Sequence, residues 1–345
     1  MTYSIHTLEL SLILDTKKEF NELLSEAYEK AKKKHRVYED DDIYHDDSLA
    51  KKGIKIEYHG NVYRKKNYKK KIKFIVNPSK VLGGDDLELW KPNKANISEL
   101  LERLELYIED YFDSEYELND FTLTRVDFTV NIKTGGKDDV AAYIEVLRKL
   151  GKVKGFSQKY DKYFDDDWYD KNLSFDLEGN SNGIEFTAYD KQGALEKKSK
   201  EKAARIKAAE GILRIEVRLT KQKAIKKYTE ETGVAKQIRD LSKRSKEIFL
   251  ETYTRVIPYG NFFKKQQAVE IIMENVPKKK QREKMLRLLE LIPMKKSLLL
   301  AQKEMNDRNI DKIMAMFAEI NLSPVTISKR PKVKHLQNLY EYLVD

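Results

Sequence analysis

Two stretches of this sequence place charged residues at every second position among apolar ones. In Leu123-Thr-Arg-Val-Asp-Phe-Thr-Val-Asn-Ile132, Arg125 and Asp127 alternate with Val126, Phe128 and Val130. In Ile212-Leu-Arg-Ile-Glu-Val-Arg-Leu219, Arg214, Glu216 and Arg218 alternate with Ile215, Val217 and Leu219. Successive side chains of a strand point to opposite faces, so each stretch shows charges on one side and hydrocarbon on the other. Two readings are open. One is a half-wet sheet with cross-strand ion pairs. The other is a divalent-metal and phosphate site, in which Asp127 and Glu216 hold Mg²⁺ or Mn²⁺ and Arg125, Arg214 and Arg218 clamp a phosphate. A third stretch, Ile184 to Gln192, sets Tyr189 and Lys191 two apart at a strand end, where a phenol and an ammonium can both approach a backbone phosphate.

Other chemistries fail on composition. The 345 residues include no cysteine, so disulfides, thiolate metal sites and cysteine nucleophiles are excluded. The five histidines (His6, His35, His45, His59, His335) show no His-x-His or His-x-x-x-His pair for a zinc site, and no phosphate-binding Gly-x-x-x-x-Gly-Lys-Ser/Thr loop occurs. Nucleophilic catalysis then falls to Tyr, Ser or Lys.

The elements that must position these residues read as an α+β arrangement, an antiparallel sheet with helices on one face. Met1 to Leu14 is polar and alternating, unlike a signal peptide. Residues 16–36 and 140–150 have helical spacing, as does Asn96 to Phe112, with an N-cap at Asn96-Ile-Ser98. The acidic run from Glu39 to Asp47 reads as a mobile loop. From Gly53 the period becomes two (Ile54, Ile56, Tyr58, then Val62 and Tyr63, then Ile72, Phe74, Val76), which predicts a hairpin about His59-Gly60-Asn61 and a further strand. Residues 183–189 and 211–219 are two more strands, separated by a lysine-rich helix over 194–210.

After Thr220 strand signals stop, and successive helices are expected, broken at Pro258, Pro277, Pro293 and Ser323-Pro324. The predicted division is 1–220, the sheet domain with the chemistry, and 221–345, an all-helical basic domain. The net charge of +10, from 67 Lys and Arg against 57 Asp and Glu, suits a polyanionic partner. It is concentrated late: residues 221–246 hold nine basic against three acidic residues, and 273–345 fifteen against nine. Within 310–340 a helix, the turn Asn321-Leu-Ser-Pro324 and a basic helix with Lys329, Arg330, Lys332 and Lys334 read as a helix-turn-helix on DNA. No apolar run approaches the roughly 18 residues of a membrane span, and a cytoplasmic protein is expected.

Taken in order, four segments resemble the Rep-trans family of rolling-circle replication initiators, which includes plasmid initiators, conjugative-element relaxases and filamentous-phage replication proteins. They are Phe74-Ile-Val-Asn-Pro-Ser-Lys-Val-Leu82, Leu123-Thr-Arg-Val-Asp-Phe128, Ser181-Asn-Gly-Ile-Glu-Phe-Thr-Ala-Tyr-Asp-Lys191 and Leu213-Arg-Ile-Glu-Val-Arg-Leu219. The resemblance implies a DNA-nicking endonuclease. A tyrosine attacks one strand, keeps a 5′-phosphotyrosine link and frees a 3′-hydroxyl, with Asp127 and Glu216 at the metal and Tyr189 and Lys191 at the active-site edge. It implies DNA as partner, single-stranded and as origin duplex, and a host helicase as a further one. One departure stands out. The position matching the nucleophile in plasmid members is Phe175, which cannot attack, so the role passes to Tyr169 or Tyr163 in the aromatic and acidic stretch 160–177, or to Tyr189. The alternative is an origin-binding protein of the same fold that does not nick.

Overall fold

The computed structural model describes residues 1–31, 35–40, 43–60, 70–85, 87–159, 173–197, 201–329 and 331–345. The chain opens with β1 (Ser4–Leu14), α1 (Lys17–Ala31), β2 (Val37–Asp40), β3 (Ile43–Asp46), β4 (Ile54–His59) and β5 (Lys70–Val76). It continues through α2 (Pro78–Val81), α3 (Lys94–Tyr111), β6 (Thr122–Lys133), α4 (Lys137–Arg148), β7 (Phe156–Gln158), β8 (Ser174–Gly179) and β9 (Ile184–Asp190). Then follow α5 (Lys191–Glu196), α6 (Ala203–Ala208), β10 (Ile212–Leu219), α7 (Gln222–Tyr228), α8 (Val234–Lys243) and α9 (Ser245–Val256). The last elements are β11 (Phe262–Phe263), α10 (Lys265–Asn275), α11 (Lys279–Lys295), α12 (Leu298–Met305), α13 (Ile310–Glu319), β12 (His335–Leu336) and α14 (Leu339–Val344). The fold is α+β. Among the described residues no helix is long and apolar enough to cross a membrane.

Two compact units share the chain. The amino-terminal unit comprises 2–129 and 218–248; the carboxyl-terminal unit comprises residue 1, 130–217 and 249–345. Each draws residues from both sides of 220, so compactness and the expected functional division into 1–220 and 221–345 follow different lines. Strands β6 and β10 each pass from one unit into the other.

In the amino-terminal unit the strand order is β2-β3-β4-β5-β1-β6. The alternating segment at the N-terminus is a central strand: β1 pairs antiparallel with β5 (Leu10↔Phe74) on one side and with β6 (Leu8↔Val126) on the other. Its leucines at 8, 10, 12 and 14 are buried, each worth roughly 1.5–3 kcal/mol relative to exposure. Helix α3 buries the stripe foreseen for it, Ile97, Leu100, Leu101, Leu104 and Ile108. Its cap, though, lies three residues earlier than expected, at Asn93, whose side chain accepts from the Asn96 amide at 2.9 Å. Beyond α3 the rings of Tyr111, Phe112 and Phe121 surround Phe74 at 5.3–5.8 Å.

One expectation fails in this unit. The acidic run is no loop: β2 and β3 form a hairpin (Tyr38↔His45, Asp40↔Ile43), because Val37, Tyr38, Ile43 and Tyr44 supply strand-forming side chains between the acids. Within it Asp46 is buried and accepts from the Tyr111 hydroxyl at 2.8 Å and the Ser48 amide at 2.8 Å. Strand β4 pairs antiparallel with β5 (His59↔Lys71, Tyr58↔Ile72); Val62 and Tyr63, expected in its hairpin, lie outside the described residues.

In the carboxyl-terminal unit the order is β6-β10-β9-β8-β7, with β7–β8 and β8–β9 antiparallel. The lysine-rich helix expected over 194–210 is replaced by the short α5 and α6, residues 198–200 lying outside the described set. Helix α4 is tied to the later chain by Tyr143 Oη donating to the Gln337 carbonyl (2.8 Å) and Lys149 Nζ to that of Thr326 (2.6 Å). Gly151 follows α4 at φ 56°, and a Cβ there would lie 2.2 Å from the Lys296 carbonyl, so this approach requires glycine. Pro293 does not break α11, which continues to Lys295. The segment after 220 is also not wholly helical, since β11 and β12 pair within it.

Candidate active site

On β6 the alternation works as foreseen. Val126, Phe128, Val130 and Ile132 are buried in hydrocarbon, and Arg125 and Asp127 share the other face. Asp127 is 1% exposed, and Arg125 grips it at two points, Nε to Oδ1 at 2.8 Å and Nη2 to Oδ2 at 2.6 Å. A fork of this kind is the strongest carboxylate pairing a protein makes. Arg218 Nε approaches the same Oδ2 at 3.7 Å. Across the strand pair Glu9 stands opposite Arg125, accepts from Thr124 Oγ1 at 2.8 Å and pairs with Lys73 at 3.2 Å. All of these residues belong to the amino-terminal unit.

The second group lies in the carboxyl-terminal unit. The Tyr189 hydroxyl donates to Glu216 Oε1 at 2.9 Å, joining the end of β9 to the middle of β10. Glu216 is 2% exposed, and Arg214, fully buried, donates through Nε to Asn131 Oδ1 at 2.8 Å. The strand ends at Asp190, which caps α5 by accepting from the Gln192 amide at 2.9 Å; burial, opposed by the amides of Gly193 and Gln192, pushes its carboxyl above the usual range. Lys191, foreseen beside Tyr189, is buried as the first residue of α5.

Phe175 answers the question its identity raised. On β8 it pairs with Ala188, is 1% exposed and meets Phe186 ring to ring at 6.3 Å. It therefore faces the core, and the neighbour of Tyr189 across the ladder is Ser174. Ser181-Asn-Gly183, the start of the third motif, is the turn between β8 and β9. Asn182 Oδ1 accepts from the Ile184 amide at 3.0 Å, and Gly179 is required because a Cβ would lie 1.9 Å from that oxygen. Five strand residues separate the turn from Tyr189, six rises or about 20 Å, so these residues shape the hairpin and do not reach the phenol. Asn77-Pro78 of the first motif is likewise structural: Asn77 Oδ1 accepts from the Lys80 amide at 3.1 Å and Pro78 starts α2.

Tyr163 and Tyr169, with Asp165, Asp166, Asp167 and Trp168, lie outside the described residues, as does Arg330. The helix-turn-helix is corrected. Helix α13 is present, but 321–329 and 331–338 are extended or turned, with Val325, Ile327 and Leu336 buried. Pro324 and Pro331 bar a helix here and the β-branched Val325, Thr326 and Ile327 favour extension. Lys329, Lys332 and Lys334 are therefore exposed on a non-helical segment. Glu9 and Asn131 were missed as partners in the sequence; Asn131 continues the Arg125, Asp127 alternation and was legible on that ground.

For a divalent cation, Asp127 and Glu216 are the right kind of donor, hard carboxylate oxygens. Asp127 has both oxygens on Arg125, so a cation there exchanges with a guanidinium. Glu216 gives one oxygen to Tyr189, and a carboxylate accepts from several partners. Among the described residues no three His, Asp or Glu side chains gather in a metal-binding group.

No curated protein matches the chain. Among solved structures it is similar to a rolling circle replication initiator protein from Geobacillus stearothermophilus, at 13% identity and a TM-score of 0.37, over 74% of this chain and 85% of that one. The Phage_CRI family model, which describes the N-terminal part of a replication-associated protein, matches residues 12–237, a span that contains all four motifs. The chain thus belongs to that family of replication-associated proteins.

Proposed function

We propose that the protein starts replication of a mobile DNA element, a plasmid, phage or conjugative element, by nicking one strand at its origin through a tyrosine. The observation that carries this is the hydrogen bond from Tyr189 to the buried carboxylate of Glu216. A phenol is a weak nucleophile until a neighbouring base takes its proton, and a carboxylate at 2.9 Å is placed to do so. In the step, the Tyr189 oxygen bonds to phosphorus as its proton passes to Glu216. The bond from phosphorus to the 3′-oxygen breaks, and that oxygen takes up a proton. The products are a 5′-phosphotyrosine and a 3′-hydroxyl, with the phosphodiester energy kept in the new link.

Arg125 and Arg218, in the amino-terminal unit, are guanidinium groups that offset phosphate charge on the DNA backbone, while the buried Arg214, donating to Asn131, braces the strand that carries Glu216. Lys191 lies in the first turn after Tyr189 and adds a cation to the same strand end. Mg²⁺ or Mn²⁺, with Glu216 as a carboxylate donor in the carboxyl-terminal unit, would supply Lewis-acid polarisation of the phosphate, and Asp127 is a donor of the same kind in the amino-terminal unit. Lys329, Arg330, Lys332 and Lys334 contact DNA, and a host helicase opens the duplex beyond the nick.

The test is a denaturation-resistant protein–DNA adduct, sought with labelled single-stranded and supercoiled origin DNA in Mg²⁺ or Mn²⁺. Tyr189→Phe should abolish it, while Tyr163→Phe and Tyr169→Phe keep it. Loss in either of the latter instead moves the nucleophile to the 160–172 segment. No adduct on any origin DNA of its own element refutes nicking and leaves an origin-binding protein. Unchanged metal dependence in Asp127→Asn and Glu216→Gln refutes the metal donors.

A further inference from the structure

Strand β11 sits between two partners. On one side residues 322–327 run parallel to it, with bridges Asn261↔Leu322 and Lys264↔Ile327 and the Ile327 amide on the Phe263 carbonyl at 2.9 Å. On the other side β12 pairs antiparallel, Phe262↔Leu336 and Phe263↔His335. Phe262, Val325, Ile327 and Leu336 are buried, and Phe262 meets the Tyr143 ring edge-on at 6.2 Å. The chain leaves this core at Ile327 and returns at His335. The described residues 328–329 and 331–334 therefore belong to an arm with both feet fixed. Lys264 braces it, donating through Nζ to the carbonyls of Pro331 (3.0 Å) and Lys329 (3.4 Å).

The arm is charged in one sense only. Residues 320–340 contain no Asp or Glu, and neither do residues 252–269, which carry β11. Lys329, Lys332 and Lys334 are exposed, while Lys265 nearby is paired with Glu290 at 3.7 Å. At the returning foot His335 is exposed and lies over the half-buried Phe263 ring, centroids 4.7 Å apart and planes 33° from parallel. Lysines alone would contact the phosphates of any nucleic acid. A ring backed by a second ring, beside those lysines, adds a surface on which an unpaired base can stack, and a base already stacked in a duplex cannot use it.

We infer that the arm 328–334, with the Phe263–His335 ring pair at its foot, is a binding site for single-stranded DNA. Lys332 and Lys334 meet phosphates and His335 stacks on a base. The site lies beyond residue 237, where the family match ends. It deepens the DNA-binding part of the proposed function and rests on that part, not on nicking.

The experiment is fluorescence anisotropy of the full chain with a labelled oligothymidylate and with a duplex of equal length, across a range of salt. His335→Ala should weaken single-strand binding about fivefold or more, leave the salt slope unchanged and leave duplex binding as it was; His335→Tyr should restore the affinity. Lys332→Ala with Lys334→Ala should flatten the log–log salt slope by about 1.4, two single-strand phosphates' worth. The inference is overturned if His335→Ala binds the oligothymidylate like the parent, if it weakens duplex equally, if His335→Tyr fails to rescue, or if the lysine pair leaves the slope unchanged. Adduct formation at saturating DNA separates the two ideas. A parent protein that shows the expected binding and forms no adduct loses nicking and keeps the arm; one that forms adduct with these variants inert loses the arm alone.

Discussion

The two units each bury a carboxylate on a strand of alternating charge, and they treat it differently. In the amino-terminal unit Asp127 is answered by cations, the fork of Arg125 and the flank of Arg218. In the carboxyl-terminal unit Glu216 receives a neutral phenol from Tyr189. A guanidinium fork answers a buried charge with an opposite one, and removing a member leaves the other charge uncompensated. The Tyr189 phenol brings Glu216 a proton that can move. The first arrangement thus ties charge to charge within one strand face, and the second holds a transferable proton, although both arise from the same sequence pattern.

The sharpest way to break this contrast is to remove the phenolic oxygen. Tyr189→Phe should lower adduct formation at least about a thousandfold, as loss of a nucleophile does, while costing only about 1 kcal/mol of stability for one hydrogen bond. Nicking assays beside urea unfolding check both halves. A variant that nicks normally would make the Tyr189–Glu216 contact structural and erase the distinction. Asp127→Ala should show the reverse balance. It leaves two arginines without their shared anion and should cost about 3 kcal/mol in the same unfolding measurement. A loss under about 1 kcal/mol would mean that the fork contributes little to holding the fold.

Phe175→Tyr tests the sidedness on which the comparison depends. Because Phe175 faces the core beside Phe186 and Ala188, the added hydroxyl would be buried without a designed partner, at about 1–3 kcal/mol. It should form no adduct in a Tyr189→Phe background. Restored nicking there would show that the position reaches the reacting face.

What the sequence made legible was periodic. The two-residue alternation of Arg125 and Asp127, and of Arg214, Glu216 and Arg218, marked β6 and β10 as strands, although Asp127, Arg214 and Glu216 are buried rather than wet, and the 3.6-residue stripe of α3 located its buried side. The failures came where tertiary partners outweigh local signals. Glu39 to Asp47 looks self-repelling until Tyr111 and the Ser48 amide satisfy Asp46. The basic run after Ser328 looks like a recognition helix until Phe262 and Tyr143 offer Val325, Ile327 and Leu336 a core. Nothing in the one-dimensional pattern could distinguish an aspartate held by a fork from a glutamate holding a phenol, because that depends on which strands become neighbours.

The smallest effect separates the units by acid. In the amino-terminal unit Glu57 accepts from His59 at 2.9 Å, with Lys73 and His45 nearby. The His59 bond, opposed by burial and aided by the charges of Lys73 and His45, holds its carboxyl below the ordinary 4.5. Its contribution is therefore present above that ordinary value and is lost as pH falls through the lower folded value. Asp190 in the carboxyl-terminal unit is raised above 3.8 by burial, so its contribution is complete below 3.8 and is lost as pH rises through the folded value. Glu57→Gln should accordingly destabilise at neutral pH and lose that deficit on acidification. Asp190→Asn keeps a competent cap and removes a buried charge, so it should gain stability at neutral pH and lose the gain on acidification. Unfolding free energies of parent and variants between about pH 3 and pH 7 decide it. Differences of the same sign at neutral pH would show that Glu57 and Asp190 do not respond oppositely, and that burial governs both carboxylates.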